Sequence, residues 1–351
     1  MSENIDVPTL GVLKSNQLGE ACFAPVDIQE NDMGELLSTL LRDHTTQSNI
    51  FWATNDYADH GDGYQFFDRI TVEAITGKKG NIIVPRSLKS RHQQHQRSRE
   101  MAEVFTPSWI CNKQNNLIDN AWFGRENVFN AEIDNPDGSH TWLPSEEKIE
   151  FPDGKTWRDY VTENRLEITC GEAPYLVSRY DSVTGIPISV EMRIGLLDRK
   201  LRIVGENTET SGEWLAAAKA ALRSIYGYEW QGDNLIIARE NLLYSVCDFY
   251  KAKFGRKIPR QSLHGIAYII SWNIWQMDGL KGVLPNSCGE RRIVSQDLFG
   301  ECVNISQCQG CKDCDINKHN GIYALIVDWP CDVASSQVRH KDPIRFIDLI
   351  K

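Results

Sequence analysis

Leu166-Glu167-Ile168-Thr169-Cys170-Gly171-Glu172-Ala173-Pro174-Tyr175-Leu176 reads as a short β-strand, starting near Arg165, that runs into a turn of small residues. The glycine lets the backbone approach a ligand closely. Downstream, Trp214 to Leu222 is Ala-rich and predicts a helix, and Arg223 to Tyr228 a strand. Asn234 to Tyr250 carries apolar residues at helical spacing, and Ile266 to Ile274 reads as a buried strand or a helix end. Strand, helix, strand, helix in this order predicts an α/β fold with a parallel sheet.

In open α/β sheets ligands bind beyond the carboxyl ends of the strands. Three apolar runs end there in residues with binding chemistry: Gly171, then Glu229 after Ser224-Ile225-Tyr226-Gly227-Tyr228, then Asp278 after Asn273-Ile274-Trp275-Gln276-Met277. A carboxylate at the second position has two oxygens to match the vicinal diol of a ribose.

The chain of 351 residues has 38 Lys+Arg against 48 Asp+Glu, a net charge of −10, which argues against a binder that coats phosphate with its whole surface. No apolar run reaches the roughly 20 residues of a membrane helix. The acidic start, Met1-Ser2-Glu3, has no signal-peptide pattern, so the expected location is the cytoplasm, with no membrane partner. Ten cysteines in such a chain predict buried thiols and a metal site rather than disulfides. No G-x-S-x-G, phosphate-loop or H-E-x-x-H motif occurs, which leaves those hydrolase and nucleotide-triphosphatase classes without support.

The ordered Gly, Glu and Asp strand ends resemble those of the S-adenosylmethionine-dependent DNA adenine-N6 methyltransferases, including the modification subunits of restriction systems. LEITCGEAPYL looks like their first cofactor motif, IYGYE like the ribose strand, and NIWQMDGL like the adenine-proximal segment. Upstream, Glu103-Val104-Phe105-Thr106-Pro107 is similar to the family's E-V-F-T-P string. The resemblance spans about residues 97–280. It implies a Rossmann-like sheet that binds S-adenosylmethionine through Phe105, Thr106, Pro107, Glu167, Cys170, Gly171, Tyr175, Glu229 and Asp278. It also implies DNA and a restriction or specificity subunit as partners.

Two departures stand out. Ala173-Pro174 replaces the second glycine of the family motif, and Pro supplies no N–H. The family's D/N/S-P-P-Y/F tetrapeptide, which holds the target amine and stacks on the flipped base, does not occur. The nearest string is Asp328-Trp329-Pro330-Cys331 at the end of an apolar run. Asp328 and Trp329 are thus the candidate catalytic pair; a partner chain that supplies the motif, or a non-catalytic cofactor- or DNA-binding scaffold, are the alternatives.

Cys302-x5-Cys308-x2-Cys311-x2-Cys314 has metal-like spacing, with Cys288 and His319 nearby, and four thiolates suit structural zinc; an iron–sulfur cluster also fits. Lys78 to Arg99 holds seven Lys/Arg and no carboxylate, and Lys251 to Arg260 is a second acid-free basic run; both are candidate phosphate contacts. The expected organisation is an N-terminal annex over residues 1–95, a cofactor-binding core over 96–280, and a Cys-rich insertion with terminal strands over 281–351.

Overall fold

The computed structural model describes residues 31–76, 82–297, 300–330 and 342–350, with side chains left undescribed at 31–33 and 292–304. The chain is a mixed α/β protein whose strands form small sheets. The sheet that positions the candidate site has three parallel strands, β1 (Arg165–Glu167), β2 (Ile225–Glu229) and β3 (Ile274–Gln276), in that order. Leu166 pairs with Tyr226, and Gly227 with Ile274.

Parallel neighbours need long crossovers, and both crossovers are helical. Helices α1 (Leu196–Asn207) and α2 (Ser211–Arg223) join β1 to β2; α3 (Gly232–Phe254) and α4 (Arg260–Asn273) join β2 to β3. Thr210 starts α2 by accepting from the Glu213 amide while Glu213 reaches back, which satisfies two orphan donors. Gly255 ends α3 in the left-handed conformation. The stretch that reads as a strand or a helix end is the end of α4: Ile266, Ile269, Ile270 and Asn273 recur at helical spacing and are all buried. The strand β3 begins only at Ile274.

One apolar cluster joins these helices to the N-terminal region. Leu36, Leu37, Leu40 and Leu41, from the helix Asn31–Leu41, pack with Leu235, Leu242, Ile266 and Ile270. The turn-rich stretch after Val128 forms a hairpin, Asn130–Asp134 with His140–Pro144. The terminal apolar run is strand only at Ile344–Arg345, paired antiparallel with Leu325–Ile326. It then coils into a turn over Phe346–Leu349, where Arg345 bonds Asp348 three residues on. No helix among the described residues is long and apolar enough to cross a membrane.

Candidate functional site

Past their last paired residues the three strands stay joined. The Cys170 amide donates to Tyr228 O (2.8 Å), and the Met277 amide to Glu229 O (3.0 Å), so the turn after β1, Glu229 and Asp278 share one edge. The turn itself is strained: Thr169, Gly171 and Ala173 have φ of 45°, 54° and 64°. A β-branched residue in that region is uncommon, and such backbone concentrates at ligand clamps. Ala173 stands in a backbone conformation that glycine adopts without steric cost.

Glu229 locks this turn. Its Oε2 accepts from the Gly171 amide (2.8 Å) and its Oε1 from the Gln231 amide (3.2 Å). Burial pushes its carboxyl up to about 7, against those two N–H groups. Glu167 accepts from the Tyr175 (3.4 Å) and Leu176 (3.2 Å) amides, which supply donors past the N–H that Pro174 lacks. Burial raises Glu167 and the neighbouring Cys170 thiol well above their ordinary ranges.

The Phe105-Thr106-Pro107 segment lies against the turn. A Cβ on Gly171 would stand 3.3 Å from the Phe105 ring, and the Arg86 guanidinium sits 5.3 Å from the centre of that ring. Ser182 donates to Thr106 O (2.9 Å), and the Asp181 carboxylate accepts from the Ser108 amide (2.7 Å), where the helix Ser108–Phe123 begins. Asp278 Oδ1 accepts from the Leu280 amide (3.0 Å), and Lys281 pairs with the other oxygen at 3.5 Å. All nine residues of the expected cofactor set therefore belong to one edge and its covering segment. Around them Val104, Ile168 and Leu280 are 79%, 64% and 90% exposed.

The candidate catalytic pair is elsewhere. Tyr323 bridges Val283, past the carboxyl end of β3, whereas the Trp329 indole donates to Asn273 Oδ1 (2.6 Å) just before β3 begins. The segment therefore runs against the sheet and delivers Trp329 to the amino edge. There it is buried in the main core, with the Arg223 guanidinium 5.8 Å from its ring. The adjoining cavity, lined by Ala220, Arg223, Ser224 and Pro330 among others, is about 10 Å³, room for about one water and not for a base. This corrects the expectation for Asp328 and Trp329: the strand order brings them to the edge opposite Glu229, and the indole is a core residue.

The first basic run is also corrected in part. Lys89 and Arg97 are buried, not phosphate contacts. Both meet Asp233 in the first turn of α3, at 3.2 and 3.1 Å, while Tyr57 donates to the same carboxylate (2.9 Å) and Arg97 also holds Glu103 and Asp56. Burial alone would raise Asp233, but the two cations hold it well below the usual carboxylate range. Arg91 and Arg99, like Lys251 and Lys257 of the second run, are exposed. Lys78 and Lys79 lie outside the described residues.

The cysteines resolve into a different foursome from the one their spacing suggests. Cys288, Cys308, Cys311 and His319 bring their ligand atoms within 4.8 Å of one another, a set that could hold a metal such as zinc. Cys314 ends the short helix Gln309–Asp313 in the left-handed conformation and is not among them. The side chain of Cys302 lies outside the described residues. Cys288 and His319, neighbours of the spaced cysteines in the sequence, take the remaining places: the register of the hairpin Arg291–Asp297 with Gly300–Ser306, Arg291 opposite Ser306, carries Cys288 toward Cys308.

Comparisons with known protein families, with characterised proteins and with solved structures find nothing that matches this chain.

Proposed function

We propose that the chain is an S-adenosylmethionine-binding, DNA adenine-N6 methyltransferase-like modification component of a restriction or related defence system, built on a Rossmann-like sheet. The observation that carries this reading is the Gly171–Glu229 bond, which ties together the two strand ends that the sequence resemblance assigns to the methionine and ribose parts of the cofactor.

The residues fit such a ligand. The Glu229 carboxylate accepts from backbone amides only, among them Gly171 and Gln231, and its oxygens have lone pairs left to accept from a ribose hydroxyl. The strained turn presents backbone next to it, Phe105 covers the turn, and Asp278 stands at the neighbouring strand end for the adenine amine. When bound, the cofactor supplies an electrophilic methyl group. Exposed Val104, Ile168 and Leu280 give the same edge an apolar rim for the ligand or a partner.

The burial of Trp329 at the opposite edge favours the non-catalytic form of this reading, in which a partner brings the amine-binding residues. The test is calorimetric titration of the full chain with S-adenosylmethionine and, separately, with ATP, which shares the adenosine but not the methionine. Binding of the first at one equivalent, weakened in Asp278→Asn, is expected. No binding by the folded chain, or equal binding of ATP, overturns the assignment.

A further inference from the structure

We infer that Cys288, Cys308, Cys311 and His319 hold one zinc ion in a closed, four-coordinate structural site, and that this ion fastens the loop bearing Asp278 to the end of the C-terminal hairpin. The inference is independent of the cofactor reading.

The distances carry it. Ligands about 2.3 Å (sulfur) and about 2.0 Å (imidazole nitrogen) from a tetrahedral ion stand about 3.8 Å apart for two sulfurs, and about 3.5 Å for sulfur and nitrogen. Cys288 Sγ lies 3.6 Å from Cys311 Sγ, and His319 Nδ1 lies 3.5 Å from Cys308 Sγ and 3.6 Å from Cys311 Sγ. Three thiolates and an imidazole are a soft donor set that selects zinc over oxygen-seeking cations. Four protein ligands leave no position for a reacting water, so the site is structural. Binding displaces three thiol protons and leaves a complex of charge −1.

The surroundings are built for these ligands. The Asn320 amide donates to Cys308 Sγ (3.4 Å), while the Asn320 side chain accepts from the Gly289 amide (3.1 Å) and donates to Gly289 O (2.8 Å), which fixes the residue after Cys288. The His319 amide donates to the Tyr323 hydroxyl (2.8 Å). At Gly310 a Cβ would fall 2.5 Å from His319 N and 2.8 Å from its ring, so the close approach of the imidazole to the Cys308–Cys311 turn requires glycine. Donors from outside the ligand set that orient the ligands are expected of a metal centre.

The site reaches the sheet edge through one short loop. The Asp278 amide donates to Val283 O (2.7 Å), the Leu284 amide to Ile322 O (2.8 Å) and the Ser287 amide to Leu284 O (3.0 Å), ending at Cys288. Lys281, paired with Asp278, also faces Cys288 and Cys311. An ion at the four ligands anchors the Cys288 end of this loop, whose other end is held at the sheet edge.

The experiment is metal analysis of the reduced full chain, purified without chelator, followed by hydrogen exchange before and after chelation. One equivalent of zinc is expected, retained in Cys314→Ser and lost in Cys308→Ser and His319→Ala. His319→Cys, which offers four sulfurs, is expected to keep the metal. Cobalt in place of zinc is expected to show the spectrum of three sulfurs and one nitrogen in the wild type, and that of four sulfurs in this variant. Chelation is expected to raise amide exchange over residues 278–288. Metal-free protein that takes up neither zinc nor cobalt overturns the site, as does a Cys288–Cys311 disulfide in its place. Loss of metal in Cys314→Ser with retention in His319→Ala overturns the ligand set. Bound iron overturns the ion. Unchanged exchange after metal removal overturns the fastening role.

Discussion

The Gly171 amide and the Glu229 carboxylate, 58 residues apart, are joined by a 2.8 Å hydrogen bond across the carboxyl edge of two parallel strands. The bond is charge-assisted whenever Glu229 is ionised, yet the carboxyl is buried and loses its proton only near pH 7. The edge therefore has a titration within the physiological range.

That titration has a definite sign. The folded carboxyl is raised from 4.5 to about 7, so its protonated form stabilises the fold below pH 4.5, and this contribution is lost as pH rises through 7. The wild-type denaturation midpoint, relative to that of Glu229→Gln, should fall between pH 5 and 8. A ribose diol needs the ionised form as acceptor, so cofactor binding should run the other way and tighten about tenfold from pH 6 to pH 8. A flat profile in calorimetry would remove Glu229 from the binding site.

The buried cluster around Asp233 gives a second expectation. Asp233→Asn removes the carboxylate paired with buried Lys89 and one of the three paired with buried Arg97, and should cost about 3–5 kcal/mol in urea denaturation at pH 7. The carboxyl is held below its ordinary range, so its contribution is present above about pH 4 and lost on acidification. The gap between wild type and variant should shrink as pH falls to 3.

Trp329 separates core from catalysis. Trp329→Phe removes the donor to the buried Asn273 oxygen and should destabilise by about 1–3 kcal/mol; Trp329→Ala, which also opens a cavity, should cost about 3–5. Cofactor binding by either folded variant should match wild type, measured by the same titration. A Phe variant of unchanged stability that loses only methyl transfer would restore the indole to the site.

Exposed arginines test the DNA contact without disturbing the buried ones. Arg91→Glu with Arg99→Glu should weaken duplex binding and reduce the slope of log K against log salt by about 2, since each phosphate contact contributes about 0.9. Fluorescence anisotropy across a salt series reads both. An unchanged slope would take Arg91 and Arg99 out of any DNA interface.

The sequence by itself determined the parallel α/β core and the composition of its carboxyl edge. Both are local: Ala-rich or periodic stretches commit to helices, short apolar runs to strands, and the residues that end or directly follow a strand stand at its end whatever the rest of the chain does. Gly171, Glu229 and Asp278 were legible for that reason. The tertiary structure alone decided what lay beyond the strands. Lys89 and Arg97 sit in a run without carboxylates, and the acids that bury them come from residues 56, 103 and 233. The run Tyr323–Trp329 has the composition of a strand but not its direction, and direction settles which edge receives the tryptophan. Cysteine spacing found the Cys308–Cys311 pair because two intervening residues place the two thiols about one turn apart. Cys288 and His319 complete the foursome only because a hairpin and a glycine bring them there, and charge, direction and long-range proximity are properties of the folded chain.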